Sequence, residues 1–227
     1  MQSLLLLHGA LGASTQFANL TPLLSDTFDI HTLDFEGHGA SVASRPFRIE
    51  YFAENVVNYL NNHSLDKCDI VGYSMGGYVA LYLASVLPER INRIFTLATK
   101  FRWNPETSDK EAGFLDAEKI EAKVPKYAQF LQSLHGEKWR DNLNATREMM
   151  LHLGDNPVLS ASVLSNIAIP VHIGLGDRDA MVSIEETIEA YKALTNGELQ
   201  IFPKTPHPLE KVRSDIFAAA ISDFFIE

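Results

Sequence analysis

Short, nearly continuous apolar runs alternate along the chain with longer stretches in which apolar residues recur every three or four positions. The runs fall at residues 3–7, 29–34, 69–73, 91–98, 170–174 and 198–202. Rich in Leu, Ile and Val, they predict strands covered on both faces of a parallel sheet. The periodic stretches predict helices over residues 15–24, 47–62, 75–87 and 184–194, and Ser183 with Glu186 forms a capping box for the last of these. A final helix is expected to start at Pro208, with Leu209, Val212, Ile216, Ala220 and Phe224 on one stripe. Strands and helices in turn predict a doubly wound, mostly parallel α/β fold.

One stretch departs from this alternation. From residue 100 to 168 the helical periodicity continues with no strand signal. Segments 116–123, 126–134 and 137–153 are amphipathic and are separated by Pro125 and Gly136. Both tryptophans, Trp103 and Trp139, fall here together with Phe101, Phe114, Tyr127, Phe130, Met149 and Met150. The pattern predicts a helical lid at 100–168 inserted into a single domain whose core is formed by residues 1–99 and 169–227.

Composition narrows the function classes. With 227 residues, 46% hydrophobic and 21% charged, the chain fits one globular domain with a substantial core. A formal net charge of −10 without a basic run argues against nucleic-acid binding. The one cysteine, Cys68, rules out an internal disulfide and fits a reducing compartment; beside a strand, it is expected to pack. The leucines after Met1 follow no basic segment and stop at His8-Gly9, so they predict a strand and not a signal peptide. No run approaches the length of a bilayer span. A cytoplasmic protein is expected.

The chemistry is concentrated in a few loops. Gly72-Tyr73-Ser74-Met75-Gly76 is a G-x-S-x-G directly after the apolar Ile70-Val71 and before a helix rich in small residues. A serine on so sharp a strand-to-helix turn needs glycines two positions before and after it, where side chains would collide. Serine also needs a base. Among eight histidines, His207 lies between two prolines after the last strand, in a loop that opens on the same carboxyl edge as Ser74. The orienting acid is expected in the preceding loop, Gly176-Asp177-Arg178-Asp179, with Asp179 favoured over Asp177. Main-chain amides of Ala10, in the turn after the first strand, and of Met75 are placed to stabilise an oxyanion. Leu11, Trp103, Phe130, Trp139 and Met150 are candidates for contact with substrate. Arg102, Arg140 and Arg147 are candidates for recognising a substrate carboxylate.

These pieces together resemble the esterase, lipase and C–C-hydrolase branch of the α/β-hydrolase superfamily. The likeness rests on His8-Gly9, on Asp34-Phe35-Glu36-Gly37-His38-Gly39-Ala40-Ser41, on the Ser74 turn, on Leu87-Pro88-Glu89-Arg90, on Gly176-Asp177-Arg178-Asp179 and on His207. Family members usually carry two strands ahead of the His-Gly strand, whereas here Met1 falls almost on it. The resemblance therefore implies a core lacking those strands, with six parallel strands in the order 2-1-3-4-5-6. Members acting on menaquinone intermediates share Gly-Tyr-Ser-Met-Gly-Gly but commonly carry Arg where this chain has Tyr78. The implied reaction is hydrolysis of a small carboxylic ester or thioester through an acyl-enzyme, with no metal and no cofactor. The alternatives are a C–C hydrolase or lyase of the same fold, and a binding protein that keeps the fold without turnover.

Overall fold

The computed structural model describes residues 1–226. In chain order the elements are β1 (Gln2–Leu7), α1 (Thr21–Leu24), β2 (Phe28–Leu33), α2 (Ile49–Asn62), β3 (Cys68–Tyr73), α3 (Met75–Val86) and β4 (Ile91–Leu97). Then come α4 (Pro105–Ala112), α5 (Ala117–Lys123), α6 (Pro125–His135), α7 (Trp139–Asp155) and α8 (Ala161–Ser165) with no strand among them. The chain returns to the sheet with β5 (Val171–Gly176), α9 (Ile184–Ala193), β6 (Gly197–Phe202) and α10 (Ser214–Ile226). The six strands form one sheet in the order β2-β1-β3-β4-β5-β6, every pair parallel, as expected.

The leucine run of β1 shows why these strands read as continuous apolar segments. Leu4, Leu5, Leu6 and Leu7 are all fully buried, with Leu5 and Leu7 on one side of the sheet and Leu4 and Leu6 on the other. The first side meets Phe52 and Val56 of α2 and Val79 and Leu83 of α3. The second meets Phe17, Phe28 and, from α10, Phe217 and Ile221. Each such leucine contributes about 1.5–3 kcal/mol over leaving it in water, so neither face tolerates a polar alternation. A third, smaller cluster joins Leu11 to Ile120, Leu131, Trp139 and Leu143, and ties the helical segment to the end of β1.

Several expected boundaries shift. The helix expected over 15–24 is split into a tight turn at Ser14–Phe17 and the four-residue α1, because Pro22 lies in the first turn of α1 and lacks the amide a continuous helix would use. The last helix does not start at Pro208. Leu209–Lys211 form a single tight turn, Val212 is extended (φ −72°, ψ 137°), and α10 begins at Ser214. Two helices carry no sequence signal of apolar periodicity. In α4 only Ala112 is apolar; its start is set by Pro105 in the first turn and by a capping box between Asn104 and Thr107. The other, α8, spans little more than a turn. Among the described residues no helix is long and apolar enough to cross a membrane.

Candidate active site

Ser74 stands at the carboxyl end of β3 with φ 51° and ψ −114°, a backbone conformation that is costly for any residue bearing a Cβ. Its surroundings hold it there. The Ser74 amide donates to the Leu97 carbonyl at 2.8 Å, and the Ser74 carbonyl accepts from the Gly77 amide at 3.1 Å and the Thr99 hydroxyl at 3.0 Å. The glycines are required by close approach. A Cβ at Gly72 would lie 2.4 Å from the Gly77 Cα, and one at Gly76 would lie 2.2 Å from the Leu7 carbonyl oxygen. Both obstacles are backbone, which has no rotamer through which to yield.

The turn after β1 closes over this elbow. A Cβ at Gly9 would fall 2.8 Å from the Tyr73 ring and 3.2 Å from the Ser74 Cβ, so the main chain of Gly9 lies directly against the serine. Met75 is the first residue of α3, where an amide has no partner within the helix. The amides of Ala10 and Met75 thus come from the two segments that meet at Ser74.

His207 approaches from the loop after β6. Its Nε2 lies 3.4 Å from Ser74 Oγ, and its Nδ1 lies 2.7 Å from Asp179 Oδ2. Tyr73 donates its hydroxyl to the His207 carbonyl at 3.0 Å and so pins the loop to β3. Asp179 is held in turn: its Oδ1 accepts from the amides of Met181 and Val182, both at 2.8 Å, and its side chain is only 1% exposed. Asp177 is exposed and accepts from the Thr205 amide instead. With Nδ1–H given to Asp179, the imidazole presents the lone pair of Nε2 to the serine hydroxyl.

Known proteins place the chain in a family at this point. The model of the alpha/beta hydrolase fold matches residues 2–155, two thirds of the sequence. The chain belongs to the α/β-hydrolase family. Pimeloyl-[acyl-carrier protein] methyl ester esterase of Neisseria meningitidis is 26% identical to it over 238 residues, covering 96% of this chain and 75% of that protein. The enol-lactonase of Burkholderia xenovorans LB400 superposes with a TM-score of 0.82 at 20% identity, covering 100% of this chain and 92% of that one. The 2-hydroxy-6-oxo-6-phenylhexa-2,4-dienoate hydrolase of Rhodococcus sp. strain RHA1 also reaches 0.82, at 20% identity, 100% of this chain and 91% of its own. At such identity these two structures speak for the fold.

In this α/β hydrolase a cleft partly open to solvent lies over Ser74 and His207. Its wall is largely apolar, and four of the chain's five methionines line it: Met75, Met149, Met150 and Met181. Of the five residues expected near substrate, Trp103 and Met150 line this cleft. The other three lie elsewhere. Leu11 and Trp139 pack into the third apolar cluster, and Phe130 is 37% exposed. The arginines stay outside the cleft lining: Arg102 pairs with Glu189, Arg140 pairs with Glu121, and Arg147 is exposed. Lys100 and Glu111, which no sequence pattern singles out, face the cleft.

Three histidines that are not near Ser74 Oγ hold the site together. His8, fully buried, donates from Nδ1 to the Gly9 carbonyl at 2.8 Å and accepts the Phe35 amide on Nε2 at 3.2 Å. Burial lowers its pKa to about 4, so the ring is neutral. His38, stacked on Phe47, is driven well below the ordinary histidine range by burial and by His8. His135, at the end of α6, accepts the Gly39 amide on Nδ1 and donates from Nε2 to the Leu11 carbonyl, each at 3.0 Å. Leu11 has a positive φ of 59°, and this bond supports its strained turn. Cys68 is inert: burial pushes its thiol up to about 12. Among the described residues no three His, Cys, Asp or Glu side chains converge where a metal ion could be held.

Proposed function

We propose that the protein hydrolyses small carboxylic esters or thioesters through an acyl-enzyme, with Ser74 as nucleophile, His207 as general base and Asp179 as the group that orients it. The reading is carried by the relay Ser74 Oγ, His207 Nε2, His207 Nδ1, Asp179 Oδ2, with steps of 3.4 and 2.7 Å, set on a strained elbow beside an apolar cleft. Ser74 Oγ attacks the carbonyl carbon while its proton passes to His207 Nε2. Asp179 stabilises the imidazolium and fixes the tautomer. Negative charge developing on the carbonyl oxygen is met by the amides of Ala10 and Met75. The imidazolium returns its proton to the leaving alkoxide or thiolate, and water repeats the sequence to release the acid.

The methionine-rich wall favours an apolar acyl group, because unbranched thioethers adapt to a range of chain shapes. Residues 100–168 act on this reading as the lid, supplying Trp103, Met149 and Met150 above the serine. The likeness, over 96% of this chain, to an esterase of a methyl ester favours the ester reading over C–C cleavage. The test is covalent labelling by a fluorophosphonate. Wild-type protein is expected to be labelled at Ser74, and Ser74→Ala to lose the label while keeping its melting temperature. A label that persists at another residue in Ser74→Ala would refute the assignment.

A further inference from the structure

Lys100 and Glu111 are out of character with the cleft they face. Both are nearly buried, at 13% and 5% exposure, in a wall otherwise dominated by Met, Leu, Val and aromatic side chains. They do not satisfy one another. The Lys100 Nζ lies 3.7 Å from Glu111 Oε1 and 3.9 Å from Glu186 Oε2, both beyond hydrogen-bond reach. Its one hydrogen bond goes to the Met181 carbonyl at 3.0 Å, although an ammonium carries three donors. Glu186 is already occupied, since Oε1 accepts the amides of Phe101 and Arg102 and Oε2 accepts the amide and hydroxyl of Ser183. The Glu111 carboxylate accepts no hydrogen bond from any described residue; only its main-chain carbonyl does, from Phe114.

Their positions are nonetheless fixed. The loop carrying Lys100 is clamped by Glu186, and α4 is capped at Asn104 and packed so tightly on α7 that a Cβ at Gly154 would lie 2.0 Å from Ser108 Oγ. A loosely paired buried charge contributes little stability, and an apolar pair would serve the fold as well. Both residues line the cleft, and the fold leaves donors of Lys100 and the carboxylate of Glu111 unfilled there. A substrate lying in the cleft supplies the missing partners.

We propose that Lys100 and Glu111 form a polar anchor in the cleft that selects substrates whose chain carries an uncharged group able both to accept and to donate a hydrogen bond, a hydroxyl or an amide. Lys100 donates to that group's oxygen, and Glu111 accepts its O–H or N–H. A free carboxylate is disfavoured, because Glu111 and Glu186 set two negative charges against one positive charge. The anchor rests on the reading of Ser74 as nucleophile, which makes this cleft the substrate's.

The experiment measures binding without turnover. Straight-chain methyl ketones, plain or bearing a hydroxyl, an amide or a carboxylate moved one carbon at a time along the chain, are titrated calorimetrically into Ser74→Ala protein. At one position the hydroxyl or the amide compound is expected to bind roughly tenfold or more tighter than the plain ketone, the gain typical of a bond to a charged partner. The carboxylate compound should gain nothing. Lys100→Met and Glu111→Met, each in the Ser74→Ala background, should abolish the preference while changing the plain ketone's affinity far less; Glu111→Met suits a helix, removes the acceptor outright and decides the matter should Lys100→Met fail to fold. Preference at no position, tightest binding by the carboxylate, or equal weakening of every ketone by Lys100→Met would overturn the anchor; the last would make Lys100 a prop for the Asp179 loop through Met181. Wild-type labelling by a fluorophosphonate is scored separately. Selectivity without labelling sinks the hydrolase reading, and labelling without selectivity sinks the anchor.

Discussion

The carboxyl edge of the sheet and the helices α4 to α8 that cover it are specified in different ways. At the edge, the elbow is dictated within a few residues: Gly72, Ser74, Gly76 and Gly77 permit a turn whose atoms approach each other more closely than any side chain allows. In the helical segment, the side chains that matter work across long stretches of chain. His135 bonds to Gly39 and Leu11, which are 96 and 124 residues away in sequence, and Asn142 donates to the Gly37 carbonyl across 105. The edge is shaped by backbone geometry. The helices supply part of the wall of the cleft over it.

That contrast predicts where a single change should be most damaging. Asp179→Asn leaves the shape of the edge intact but disturbs the imidazole tautomer, and turnover of a test ester is expected to fall on the order of 10⁴-fold. Asp177→Asn, which touches only the Thr205 amide, should cost less than tenfold. Steady-state kinetics of the two variants side by side checks the difference, and equal losses would place the acid elsewhere in the loop.

Next in size is Gly76→Ala. The added methyl meets the Leu7 and His8 carbonyls at 2.2 and 2.8 Å, so α3 must retreat from the end of β1 and take the Met75 amide with it. Loss of one oxyanion donor lowers turnover by about 10²–10³. Gly136→Ala, in the helical segment, is the matching control. No atom lies within 4 Å of a Cβ added there, so the change should cost only the strain of a positive φ of 60° and leave turnover near wild type. Equal losses in the two variants would mean that the elbow is no more sensitive to an added methyl than the helices are.

The same contrast explains which features were legible in the sequence. All six strands and the Ser74 elbow could be read because each rests on a local pattern, an apolar run or a glycine spacing, whereas the strand order followed from the family resemblance. Between Asp177 and Asp179 the sequence could express only a preference; burial and the amides of Met181 and Val182 distinguish them in space. The helix α4 left no apolar stripe, and with it Glu111 stayed hidden. Lys100, two residues beyond the positive φ of Ala98, becomes notable only once its unfilled donors in the cleft are seen. Leu11, Trp139 and Phe130 stand out in the sequence for being large and apolar, a property that serves packing as readily as ligand contact. His135 gave no sign of its role in the sequence, because its partners are main-chain groups from other elements.

The smallest of these effects is a stability change at the seam between the two regions, where His8, His38 and His135 follow one another. The ring centroids of His8 and His38 lie 5.0 Å apart, and those of His38 and His135 lie 5.8 Å apart. All three have pKa values depressed in the folded state, chiefly by burial. The unfolded chain therefore binds more protons than the native one below the ordinary histidine pKa of about 6.5. Stability that is fully present above that value is lost as pH falls toward about 4, the folded value for His8. His8 alone accounts for on the order of 3 kcal/mol across this window. Burial raises the pKa of the Asp34 carboxylate, but the amide and hydroxyl of Ser14 outweigh it and hold the group below its usual range, so its contribution is also lost as pH falls, at lower pH. Urea denaturation from pH 7.5 to 4 should thus show a steady fall beginning near 6.5. His38→Leu removes one titrating ring whose Nε2 has no partner, at a cost of about 1 kcal/mol near neutrality for the bond to the Glu36 carbonyl. Its acid limb should be shallower than that of the wild type. An acid limb of unchanged slope would shift the loss from the histidine seam to carboxylates such as Asp34.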